Sequence, residues 1–153
     1  MKNGLKRNNK LNIYSDFKRL RRIIMNKMIP IETDIGILWG RDAIFLSNIE
    51  FDYNRNLVRL KGDLASRYDK DNCQTNYTLE FSGVYIFNMV ELDLSFEVLE
   101  FDFNESSFLE VKDSNLVKTA KKIRKVDLRH FVVQTYDDVF EVVCKDFTMS
   151  LSN

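Results

Sequence analysis

A chain of 153 residues fits one domain and can bury roughly 68–70% of the surface its unfolded form exposes, so its core needs neither a disulfide nor a metal. Twelve Phe and six Tyr against five Gly and one Pro describe packed aromatic strands with few tight turns, and they argue against a disordered chain. The formal charge of zero hides a division: residues 1–30 hold nine Lys or Arg and one acid, whereas residues 31–153 hold fourteen bases and twenty-two acids.

The first 30 residues are basic throughout, with no apolar run leading to a small-residue cleavage site, so the expectation is a cytoplasmic protein. The richest apolar stretch, Val84 to Val90, contains Asn88 and falls well short of the roughly eighteen residues that span a bilayer. Cys73 and Cys144 are too few and too far apart for a disulfide framework or a zinc site. The sequons Asn76-Tyr77-Thr78 and Asn104-Glu105-Ser106 have no secretory route to make them useful.

In chain order, Phe17, Leu20, Ile24 and Met28 recur at helical spacing, with Lys18, Arg19, Arg21, Arg22 and Lys27 around them. This predicts a basic helical extension over residues 1–30, closed at Pro30 and followed by a single β-rich domain over 31–153. A basic amphipathic helix suits nucleic acid or an anionic membrane surface, or it is an appendage foreign to the domain.

Strands are then expected over Ile35–Gly40, Ala43–Phe51 and Leu57 to about Gly62, with a turn at Asp52–Asn56 and a loop over Arg67–Asn76. Tyr77, Leu79 and Phe81 alternate with polar residues, Gly83 marks a bulge or bend, and Val84–Val90 resumes. Leu94, Phe96 and Val98, then Leu99, Phe101 and Phe103, continue the alternation with a change of phase that reads as a second bulge. Asp113 or Ser114 can cap a helix to Lys125 with the apolar stripe Leu116, Ala120 and Ile123, and with Lys118, Lys121, Lys122 and Lys125 opposite. Arg129–Tyr136 and Val139–Thr148 form a hairpin around Asp137-Asp138, which sets Phe131 opposite Cys144, Val133 opposite Val142 and Thr135 opposite Phe140. On the other face His130 meets Lys145, and Gln134 meets Glu141.

The fold class that follows is α+β: a mostly antiparallel sheet of seven to nine strands, curled or folded into two layers, with one packed amphipathic helix and the basic N-terminal helical extension.

Chemistry is harder to place. His130 and Cys144 are the one nucleophile and base pair available, and the hairpin register points them to opposite faces. The pairs Glu91 with Asp93 and Glu100 with Asp102 share a face at strand spacing, a pattern that solvated strands also produce. Asp69-Lys70-Asp71-Asn72 begins like a calcium loop, but its sixth position is Gln74 and no flanking helices follow. No glycine-rich phosphate loop is present, and aromatics such as Phe81, Phe96, Phe101 and Phe103 stand among acids, where core packing accounts for them. These readings imply no catalytic residue, no cofactor and no metal.

Leu38-Trp39-Gly40, Ile49-Glu50-Phe51-Asp52, Phe81-Ser82-Gly83-Val84, Val90-Glu91-Leu92-Asp93, Arg129-His130-Phe131 and the run from Thr135 to Val142 together resemble the YxiG-like group of small proteins from low-GC Gram-positive bacteria. The resemblance runs from about Ile35 to the C-terminus. It implies no site residues; the group is often thought of alongside polymorphic-toxin loci, where small proteins serve as immunity factors. Nine acids and one base lie between Thr78 and Asp113. The function expected is therefore a non-enzymatic domain whose acidic face, through Glu91, Asp93, Glu97, Glu100, Asp102 and Glu105, binds a basic protein such as a nuclease-like toxin. The alternative is a nucleic-acid or membrane-surface accessory protein acting through Lys18, Arg19, Arg21 and Arg22.

Overall fold

The computed structural model describes residues 27–69, 73–99 and 101–152. The basic helix expected before Met28, with Lys18, Arg19, Arg21 and Arg22, lies outside them, as do Glu100 and residues 70–72 of the calcium-like loop. The described chain is a two-layer, mostly antiparallel β structure with two helices. Its strands are β1 (Met28–Pro30), β2 (Glu32–Thr33), β3 (Gly36–Ile37), β4 (Ile44–Asp52), β5 (Leu57–Leu64), β6 (Asn76–Ser82), β7 (Ile86–Glu91), β8 (Phe108–Val111), β9 (Arg129–Gln134), β10 (Asp138–Cys144) and β11 (Asp146–Ser152). The helices are α1 (Leu92–Val98) and α2 (Asn115–Arg124).

One sheet runs β1-β8-β9-β10-β7, the other β11-β6-β5-β4, and β2 with β3 makes a small hairpin. The inner faces meet in a core of Leu60, Leu79, Phe81, Phe108, Phe131, Phe140 and their neighbours. Phe131 sits at its centre, 4.9 Å from Phe147 and 6.0 Å from both Phe81 and Phe108 by ring centroids. The outer face of the five-stranded sheet carries a second, smaller cluster, Leu92, Val111, Val132 and Val139, covered by Met28, Leu99, Phe101 and Phe103.

Several local expectations change. The sheet begins at Met28, ahead of the boundary expected at Pro30, because an edge strand tolerates a residue without an N–H. Only Gly36 and Ile37 of the Ile35–Gly40 run pair as a strand. Gly62 does not end β5. It lies opposite the bulge between Leu46 and Asn48, where an added Cβ would stand 1.9 Å from the Phe45 carbonyl oxygen, so only glycine fits. Gly83, at φ +61°, is where the chain leaves one sheet for the other.

Leu94, Phe96 and Val98 belong to a helix rather than to a strand. The Glu91 carboxylate accepts from the Asp93 and Leu94 N–H groups at 3.1 and 3.0 Å, which caps α1, while Leu92 and Ser95 turn inward at helical spacing. Strand β8, unanticipated, has all four residues buried. The hairpin slips by two residues, pairing Phe131 with Val142 and Val133 with Phe140 around a Tyr136-Asp137 tip. Thr135 braces that tip, its hydroxyl donating to the Asp138 carbonyl at 3.0 Å. A slip of two keeps each side chain on its expected face.

Helix α2 begins as expected: Ser114 Oγ accepts from the Val117 N–H at 3.3 Å. Its apolar stripe is Leu116, Val117 and Ala120, all half-buried; Ile123 lies in solvent.

Candidate functional site

Residues 91–105 do not form the acidic sheet face that alternation suggests. Glu91 ends β7, and the described residues after it form α1 and a loop across the outer face of the five-stranded sheet, held there by Leu92, Leu99, Phe101 and Phe103. Glu91, Asp93, Glu97, Asp102 and Glu105 are all exposed on this covering segment. Glu91 has a local duty, since the two backbone N–H groups it accepts hold its carboxyl below the usual range, with Arg41 adding to the effect. The Asp102 carboxylate accepts from the Asn104 N–H at 2.9 Å.

Between these acids stand the side chains that periodicity places in the core. Leu94, Phe96 and Val98 are 61%, 65% and 62% exposed. Helical geometry accounts for this, because a period-2 pattern wound at 3.6 residues per turn cannot present all its apolar members to one surface. Met89 on the neighbouring edge strand β7 is also exposed.

Two further acids join the segment. Asp138 pairs in register with Glu91, and the Leu92 N–H donates to the Asp137 carbonyl at 2.8 Å. Burial, then the neighbouring Asp137 and Glu91, push the Asp138 carboxyl above its ordinary value. Asp137-Asp138 read as a turn signal conceals this role; only the β7–β10 pairing brings the two together with Glu91.

His130 and Cys144 point to opposite faces, as the hairpin periodicity requires. Cys144 lies in the inter-sheet core, where burial and the nearby Asp146 push its thiol up to about 12, far from the thiolate a nucleophile needs. His130 lies under the outer layer with Nδ1 2.8 Å from Ser114 Oγ and Nε2 3.2 Å from Glu141 Oε1. Nε2 itself makes no hydrogen bond among the described residues. Glu141 also accepts from Asn88 Nδ2 at 2.9 Å; the His130 contact foremost, over the opposing effect of burial, holds its carboxyl low.

Ser114, His130 and Glu141 thus stand in the order of a nucleophile, a base and an orienting acid, a grouping that spacing alone does not reveal. Ser114 Oγ is already engaged by the Val117 N–H, and Ser114 and His130 are both buried. All three border a cavity of about 200 Å³ with Val98, Leu99, Phe101 and Leu116, and Ser114 and His130 also border a second of about 470 Å³ with Glu110, Lys112 and Arg129. Among the described residues no three His, Cys, Asp or Glu side chains are placed to hold a metal ion, and no helix is long and apolar enough to cross a membrane.

No protein-family model matches the chain, and no curated protein does either.

Proposed function

We propose that this chain is a non-enzymatic, cytoplasmic protein-binding domain of the immunity type, which neutralises a basic partner through the surface of α1. The observation that carries the reading is the exposure of Leu94, Phe96 and Val98 between the carboxylates of Glu91, Asp93 and Glu97. A short helix buried on one side only by Leu92 and Ser95 gains nothing in isolation from three large apolar groups in water. Covering them would remove apolar surface worth about 25 cal/mol per Å² from water. The surrounding carboxylates would steer a cationic partner toward them and disfavour nucleic acid. The resemblance to the YxiG-like group points the same way.

The test is capture of partners from the source bacterium at low and high salt, followed by titration of the captured protein's own activity. The expected result is a basic protein, inhibited at one-to-one stoichiometry by the full chain and not by the Leu94→Ala, Phe96→Ala double variant. Retention of nothing basic at low salt, or inhibition that ignores the double variant, sinks the proposal.

A further inference from the structure

The only tryptophan of the chain, Trp39, is 58% exposed on a loop whose backbone is held at nearly every point. The Leu38 carbonyl accepts from the Ser107 N–H at 2.7 Å and from Ser106 Oγ at 3.1 Å, and the Gly40 carbonyl accepts from Ser107 Oγ at 2.9 Å. The Trp39 N–H donates to the Tyr68 hydroxyl at 3.0 Å. Arg67 donates to the Trp39 carbonyl and, through both terminal nitrogens, to the Asp42 carboxylate at 3.0 Å, and its guanidinium lies 5.1 Å from the centres of both the Trp39 and Tyr68 rings. None of the hydrogen bonds that shape this loop uses the indole nitrogen.

A second ring is displayed beside the acidic segment. Tyr136, 43% exposed at the β9–β10 tip, stacks on Phe45 at 5.4 Å, and the Arg41 guanidinium lies 5.2 Å from its ring centre while Arg41 Nε donates to the Tyr136 carbonyl at 3.1 Å. Arg41 is also close enough to Glu91 to favour its carboxylate. Each ring is therefore fixed in place and partly open to solvent. Rigid exposed Trp, Tyr and Arg are the side chains that dominate protein interfaces, because little freedom is lost when they are covered.

Charge decides between partners. Arg67 is matched by Asp42, and Arg41 is opposed by Glu91, so the unmatched charges beside the Tyr136 tip are those of Asp137 and Asp138. Such a surface repels phosphate and receives cations. We infer that Trp39 and Tyr136 are rigid aromatic anchors of the α1 docking surface, taking an arginine- or lysine-bearing segment of the same basic protein partner. This rests on the protein-binding reading above and extends its surface to the 36–43 loop.

A synthetic peptide of alternating Arg and Gly, titrated into the full chain at low salt, tests it with two readouts: Trp39 emission and the backbone amide resonances of residues 92–98. Both are expected to change with one dissociation constant. Calorimetry should show Trp39→Ala weakening the peptide by about tenfold, with the melting temperature unchanged and Trp39→Phe restoring part of the loss. If the α1 resonances shift while Trp39 emission and the Trp39→Ala affinity stay as they were, the anchor inference fails and the docking surface survives. If neither readout responds, both readings fail. Quenching of Trp39 by a single-stranded oligothymidylate but not by the peptide assigns the rings to nucleic acid and overturns the inference.

Discussion

The two faces of the five-stranded sheet are built on opposite principles. The inner face, with Phe131, Val133, Phe140 and Val142, is closed by a second sheet of similar size and is wholly apolar at its centre. The outer face mixes Val132 and Val139 with the buried polar residues His130, Gln134 and Glu141, under a thin cover that leaves Leu94, Phe96 and Val98 in water. Stability is therefore concentrated on one side, and the surface proposed for recognition lies on the other. Substitutions that respect this division should separate folding from binding.

The largest effect belongs to the inner face. Phe131→Ala removes a ring in contact with three others and should cost about 4 kcal/mol of unfolding free energy in a denaturant titration. Gly62→Ala should follow at about 3 kcal/mol, since its methyl meets the Phe45 carbonyl oxygen and the β4 bulge must rearrange to admit it. A loss below about 1 kcal/mol for either would mean that the inter-sheet core yields more readily than its packing implies.

Acid probes the rim of the inner face. Burial pushes the Glu110 carboxyl up, but Arg129 and Lys112, at 2.9 and 2.6 Å, outweigh it and hold the group below its ordinary value. A carboxyl lowered by folding stabilises above its unfolded value and loses that contribution as pH falls through the folded one. Melting temperatures should accordingly drop below about pH 4.3, and Glu110→Gln should flatten that part of the profile while lowering stability near neutrality. A profile unchanged by the substitution would remove Glu110 from the account.

Much of this division can be read from the chain itself. The hairpin faces, Gly83 as a turning point and the Ser114 cap follow from period, backbone freedom and hydrogen-bonding side chains, and a two-residue slip cannot disturb them. Helix α1 could not be read the same way. Leu92 to Val98 alternates as a strand would, and its helical state depends on a Glu91 carboxylate folded over two N–H groups. Strand β8 is short, and its buried Glu110 is tolerable only beside Arg129, which lies 19 residues away in the sequence. The acids of this segment are legible as a run, but alternation places Leu94, Phe96 and Val98, which stand exposed among them, in the core.

The smallest expected effect bears most directly on that reassignment. Phe96→Ser removes a large apolar group, and on the alternation pattern it should be as damaging as a core substitution. On the helical geometry the ring is mostly in water already, so the change should stay within about 0.5 kcal/mol in the same denaturant titration. A ring that contributes little to folding yet stands among carboxylates is free to serve a partner, which is why the near-absence of an effect is the informative result. Destabilisation approaching that of Phe131→Ala would place Phe96 in a packed layer and leave the α1 surface without its apolar centre.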